Sequence, residues 1–438
     1  MNCRFLAKPA LTVANVLGMT MLSVALPLPA QDSLRLGALH ADALALDPRQ
    51  RQLALHAAAT AVRLRSIRAD ALPSFGVEGR AQYQSEVTKF PGGGPFTPPT
   101  PPHDTYDAYI LARQSLFDPT LGPRRAVERA HLVESQAQVR TSLFALRQEL
   151  NDAFFAAASL QERIATIDVA IADLAARLRE TGQRFAAGTA LPGDTAAIAA
   201  TIAQRLQDRL RLSGDRAGAL SRLSALIGRD VAESGTLVLP DLRARVDESI
   251  ASIDRLRQRP EYGQFDATRE RLARQEQATS AQLKPRLSAF GRLAYGKPGL
   301  NALGQDFQSY WLGGVQVQWA PWNWGTTSRE RELLRIQREM VATNESAFTL
   351  GVRRSLQQSL ASMSRLDSTL ALDERVVALR ETVEREAGAK LREGAITAAD
   401  YVDRNMELLS ARVARIQHRV ELAYARATFL TMLGVELP

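Results

Sequence analysis

The sequence predicts a mainly α fold with a small β-barrel component, organised as two tandem copies of short helix, strand, strand, long helix, short helix. Three observations predict it. Heptad-spaced apolar residues at 143–178 and 402–430 accompany long proline-free stretches at 124–187 and 326–393, segments of period-two alternation precede each long stretch, and prolines and glycines recur at constant offsets along the 438-residue chain.

The chain opens with a targeting pattern. Residues 1–9 carry Arg4 and Lys8, residues 10–26 are uncharged and mostly apolar, and Leu28-Pro29-Ala30 ends in the small residue a signal peptidase needs. Residues 1–30 read as a secretory signal peptide with a mature start at Gln31. An N-terminal anchor is the alternative, but Pro27 and Pro29 cut the apolar run short of the roughly twenty residues a span requires. Cys3, the single cysteine, falls inside this segment, which removes disulfide and thiolate chemistry from the mature chain. No later stretch reaches eighteen consecutive apolar residues, so a membrane-crossing mature chain would have to cross as strands.

The repeat shows in the punctuation. Pro48 and Pro260 are 212 residues apart, as are Pro73 and Pro285, whereas Gly188 and Gly394, Asp194 and Asp400, and Gly228 and Gly434 are each 206 apart. Two constant offsets differing by six describe two halves, 31–228 and 250–438, that differ in one loop. That loop is the proline- and glycine-rich segment from Phe90 to Pro102, and residues 229–249 link the halves.

The apolar run Leu143, Leu146, Leu150, Ala153, Ala157, Leu160, Ile164, Ile167, Ile171, Leu174, Leu178 alternates steps of three and four, the seam of a left-handed coiled coil. Val402 to Leu430 repeats it. The long helices are expected at about 122–187 and 326–393, each about 100 Å long at 1.5 Å per residue. Helices at about 41–71, 194–228, 250–283 and 400–434 are roughly half as long, so two stacked end to end would match one long rod.

Strands are expected at about 74–87, 105–117, 285–297 and 307–322. Phe75, Val77, Gly79, Ala81 and Tyr83 alternate with Glu78, Arg80 and Gln82; Trp311, Val315, Val317 and Trp319 alternate with Gln316 and Gln318. By pattern alone such a sheet could cover a soluble core or line a membrane barrel. The signal segment and the aromatic residues near strand ends favour the barrel, with Glu78, Arg80, Gln316 and Gln318 facing the pore. Four strands cannot close in lipid, where an unpaired edge costs several kcal/mol per backbone group, so copies must join: two would give eight strands, three would give twelve.

Enzyme chemistry finds no foothold. His40, His56, His103, His131 and His418 lack the spacing of a metal-binding helix, Gly92-Gly93-Gly94 lacks the lysine and helix of a phosphate loop, and no Gly-x-Ser-x-Gly turn occurs. No catalytic residue, metal or cofactor is expected. The net charge of +8 comes from arginines dispersed among acids rather than gathered in a patch, which argues against nucleic-acid binding.

Together, Asp47-Pro48, Arg259-Pro260, Leu72-Pro73, Leu116-Phe117-Asp118, Pro321-Trp322-Asn323-Trp324-Gly325 and the turns at 188–194 and 394–400 give a chain that resembles the TolC-like outer-membrane efflux proteins. The resemblance implies a homotrimer whose twelve strands form a barrel in the cell outer membrane and whose helices form a tunnel through the periplasm. It also implies outer membrane lipid, a periplasmic adaptor (membrane fusion) protein and an inner-membrane transporter as partners, in a tripartite efflux pump or type I secretion system. Asp118-Pro119 and Pro192-Gly193 depart from the family pattern at a strand-to-helix turn and at the first helix tip.

Asp400 and Asp403 begin the last short helix. Asp400 matches Asp194 and reads as a helix cap; Asp403 matches Ala197, so capping common to both halves does not account for it. The resemblance implies that both aspartates ring the periplasmic entrance as a gate, with Gly188, Asp194 and Gly394 forming the helix-tip turns. The rival reading is a secreted or periplasmic coiled-coil structural protein without a pore.

Overall fold

The computed structural model describes residues 33–89, 99–232, 235–250 and 253–437. The expected signal peptide, residues 1–30, and residues 90–98 of the Pro/Gly loop lie outside the described residues. In chain order the elements are β1 (Ser33–Arg35), α1 (Leu36–Leu46), α2 (Arg49–Ala69), β2 (Ser74–Tyr83), β3 (Asp104–Phe117), α3 (Leu121–Ala186), α4 (Pro192–Ile227), β4 (Thr236–Val238), α5 (Arg243–Ile250), α6 (Pro260–Ala281), β5 (Arg286–Lys297), β6 (Gln308–Gln318), α7 (Thr326–Arg392) and α8 (Ala398–Leu433).

The two rods, α3 and α7, have 66 and 67 residues. Pro123 does not interrupt α3, because it sits in the first turn, where the backbone N–H has no helical acceptor to lose. Near the strands α3 packs on α2 and α6, and toward the far end on α4 and α8; α7 packs on α6 and then α8. The short helices do meet end to end. A Cβ on Gly228, just past α4, would lie 3.5 Å from Leu46 at the end of α1, and one on Gly434, just past α8, 3.6 Å from Arg259 ahead of α6.

The helix expected at 41–71 is broken at Asp47. Its backbone is extended because Pro48 follows, and its carboxylate accepts the Arg49 N–H at 2.7 Å and the Arg49 guanidinium, which relays onward to the Ser142 carbonyl. At the second junction Arg259 donates to the Met432 carbonyl (2.9 Å), pairs with Glu261 and stacks over Phe144 and Phe348. Two arginines thus fasten helix ends to the rods. The expected linker 229–249 is partly regular: β4 pairs in parallel with β1, and α5 follows.

The main core lies midway along the rods. Leu150, Phe154, Ala157 and Ala158 of α3, Leu223 and Ile227 of α4, Leu36 and Leu39 of α1 and Phe429 and Leu430 of α8 are almost wholly buried in one cluster. Smaller clusters follow the heptad seam toward the helix tips. No helix among the described residues is long and apolar enough to cross a membrane.

The four longer strands form one antiparallel sheet in the order β2-β3-β5-β6, leaving β2 and β6 each with an unpaired outer edge. β6 stops at Gln318, short of 322, where Pro321 and a pair of left-handed residues, Trp324 and Gly325, turn the chain into α7.

Candidate functional site

Cross-strand register sorts the sheet into two faces. Glu78 pairs with Tyr109, Tyr109 with Ala294, and Ala294 with Tyr310; Arg80 pairs with Asp107. The same row set includes Arg113, Arg292, Gln316 and Gln318, so Glu78, Arg80, Gln316 and Gln318 share one polar face. The opposite face carries Phe75, Val77, Ala81, Ile110, Leu293, Trp311, Val315 and Val317. This face covers no protein core: Val77 is 81% and Trp311 76% exposed. Aromatic side chains collect at both ends of the sheet, Tyr83, Tyr106, Tyr295 and Phe307 at the loop end and Trp319, Trp322 and Trp324 at the helix end.

The polar face is internally cross-linked. Arg292 pairs with Asp107 and lies over the rings of Tyr109 and Tyr310, Tyr310 donates to Asp107 at 2.9 Å, and Tyr109 donates to Glu78. Arg80, whose facing residue Asp107 is taken by these two partners, makes no hydrogen bond or ion pair with the described residues. Arg292 and Tyr109 were not legible as site residues, because only the register joins them across the sheet.

At the other end of the rods, both tips close with the same backbone device. Gly188 and Gly394 adopt φ of 73° and 74°, Thr189 N–H returns to the Arg184 carbonyl (2.8 Å) and Ala395 N–H to the Lys390 carbonyl (2.9 Å). Pro192 occupies the first helical position of α4, where its fixed φ suits the helix start. The Asp118-Pro119 turn is likewise accommodated: Asp118 accepts the Thr120 N–H at 2.8 Å and its hydroxyl at 2.6 Å.

Asp194 accepts from Leu191 N–H with one oxygen and from Ala398 N–H with the other, each at 3.0 Å. Asp400 accepts from the Thr397 hydroxyl (2.7 Å) and N–H (3.0 Å), and these donors hold its carboxyl below the usual range. Asp403 is exposed and makes no hydrogen bond or ion pair with the described residues; its neighbour Arg404 pairs with Glu407 instead. The structure therefore separates the two aspartates: Asp400 is engaged as a cap, and Asp403 is unengaged among the described residues.

Behind the tip, Tyr401 is 1% exposed and donates to Glu384 at 2.6 Å while Arg177 donates to its oxygen at 3.3 Å. Burial and the Glu384 carboxylate push the Tyr401 hydroxyl up to about 12. Arg184 reaches the Leu391 carbonyl, linking α3 to the end of α7. Tyr401 adjoins Asp400 in sequence, but nothing in the sequence pointed to Arg177 or Arg184 as its tip companions.

No curated protein matches the chain. Residues 39–229 match the model of the outer membrane efflux protein family. Among solved structures, CusC, described in terms of folding and transmembrane channel formation, is similar with a TM-score of 0.65 and 16% identity over 91% of this chain and 92% of that one. The outer membrane protein VceC of Vibrio cholerae gives 0.65 and 14% over 92% and 97%, and the open-state MtrE outer membrane channel of Neisseria gonorrhoeae 0.64 and 17% over 92% and 89%. From Leu39 to Arg229 the chain thus carries the outer membrane efflux protein pattern, and over nearly its whole length it is TolC-like in fold.

Proposed function

We propose that the chain is one third of an outer-membrane exit duct for an efflux or secretion system. Three copies join β2 of one to β6 of the next, closing a twelve-strand barrel with the apolar face in lipid and the polar face around a lumen. The rods continue the lumen through the periplasm, and Asp403, with Asp400 beside it, lines the entrance at the tips. The duct performs no reaction. Energy and substrate choice come from an inner-membrane transporter reached through a periplasmic adaptor.

One observation carries this reading: a four-stranded sheet with an exposed apolar face and two unpaired edges, set on rods about 100 Å long. In water that arrangement exposes apolar area and backbone groups without return; in a closed barrel both are satisfied. Fractionation tests it. The protein is expected in the outer membrane and released only by detergent, whereas recovery in the soluble periplasmic fraction would support the pore-free coiled-coil alternative.

A further inference from the structure

At the junction of β6 with α7 the chain leaves three tryptophans in the open. Trp319, Trp322 and Trp324 are 60%, 73% and 80% exposed. Trp324 holds a φ of 54°, a left-handed conformation that costs a bulky residue energy and here yields no compensating burial. Its ring meets that of Trp322 edge to face, with 5.8 Å between centroids. Trp319 is anchored differently: its indole N–H donates to the Leu283 carbonyl at 2.9 Å, which brings it beside Lys284. A Cβ on Gly325 would lie 3.8 Å from a guanidinium nitrogen of Arg329, so that side chain folds back toward the Trp324-Gly325 turn. Lys284 and Arg329 are exposed, and neither side chain makes a hydrogen bond or ion pair with the described residues.

Register fixes the height of this cluster. Trp319 follows Gln318, the residue paired with Arg286 at the helix end of the sheet, and continues the apolar face through Val315 and Val317. An amphipathic ring set where an apolar band ends belongs at the boundary between acyl chains and head groups, and the two unpaired cations stand on the watery side of that boundary.

We infer that this junction binds the head group of an anionic phospholipid in the helix-side leaflet of the membrane. Lys284 and Arg329 meet the phosphate charge, and Trp319, Trp322 and Trp324 pack against the glycerol and upper acyl region. Charge complementarity names the occupant: a zwitterionic head group offers each cation no net charge, whereas an anionic one neutralises it. The inference rests on the barrel reading above and adds to it a choice among lipids.

All four tryptophans of the chain, the junction three and Trp311, lie on β6 or just beyond it, so their fluorescence reports this region alone. The full chain, folded into vesicles of phosphatidylcholine with brominated phosphatidylglycerol or brominated phosphatidylcholine as quencher, tests the site. Trp311→Phe restricts the signal to the junction. Quenching by the anionic lipid is expected to be stronger, by roughly fivefold in relative binding constant for each cation, and to weaken at high salt. Lys284→Gln with Arg329→Gln is expected to equalise the two lipids while leaving quenching by phosphatidylcholine unchanged. Equal quenching in the unsubstituted cations, or a preference that survives both substitutions, overturns the site. If the difference between the native chain and Trp311→Phe shows no quenching of Trp311 by either lipid, the barrel reading itself fails.

Discussion

Asp194 of the first helix tip accepts the backbone N–H of Ala398, the first residue of α8, at 3.0 Å, so a carboxylate from one half of the chain caps a helix of the other. Its second oxygen serves Leu191 ahead of its own helix. One side chain therefore holds two helix starts together, whereas among the described residues Asp400 serves only Thr397.

This arrangement predicts unequal effects of two matched substitutions. Asp194→Ala should cost about 0.5–2 kcal/mol at each helix start it caps and speed amide exchange at both Leu191 and Ala398. Asp400→Ala should speed exchange at Thr397 and leave Ala398 protected. Unchanged exchange at Ala398 in the Asp194 variant would refute the cross-cap.

Asp403 has no hydrogen-bond or ion-pair partner among the described residues, which fits the gate role proposed for it. If, as proposed, three copies of Asp400 and Asp403 face a narrow entrance, they attract cations and their mutual proximity strengthens the field. Planar-bilayer recording of Asp400→Asn with Asp403→Asn should show lower cation selectivity and weaker block by di- and trivalent cations. Unchanged selectivity and block would reduce both residues to helix support, for which Asp400 alone has the hydrogen bonds.

A buried histidine makes stability depend on pH. His40 Nε2 donates to Asn151 Oδ1 at 2.9 Å and Asn151 donates to Thr431 at 2.9 Å; burial, reinforced by Arg147, lowers the His40 pKa from 6.5 to about 4. The unfolded chain therefore binds the extra proton first. The contribution is complete above the unfolded value of 6.5, is lost as pH falls toward about 4, and amounts to on the order of 3 kcal/mol per chain. Denaturant unfolding between pH 4 and 7 should show this loss, and His40→Gln should remove that part of the slope. An identical slope in the variant would contradict it.

The loop between β5 and β6 offers a test of the proposed orientation. Leu300 is exposed, and Gln305 donates to the Thr100 carbonyl, so this loop and the β2–β3 connection meet at the end of the sheet away from the helices. A short tag inserted after Asn301 should be labelled on intact cells. Labelling only after the outer membrane is opened would invert the topology.

The sequence disclosed the features that repeat or alternate. The seam from Leu143 to Leu178 and the alternation around Val77 and Trp311 carry periods of their own, and the Gly188 and Gly394 turns need a residue that accepts positive φ. What was not legible lacks a local signal. β1 and β4 are three residues each, too short to show a period, and pair across some two hundred residues. Asp47-Pro48 read as a helix start, but the separate helix ahead of it did not, and the Asp47–Arg49 pair that shapes the junction becomes visible only once the chain turns there. Asp194 could be read as a cap, but its bond to Ala398 depends on two tips meeting in space. The same holds for Arg292, whose aromatic and acidic partners come from β3 and β6.

In the proposed assembly the edges of β2 and β6 are closed by other copies of the same chain. Light scattering of the protein purified in mild detergent, corrected for the detergent, measures it most directly. A mass near three times that of the mature chain is expected. A stable monomer that stays dispersed without detergent would contradict it.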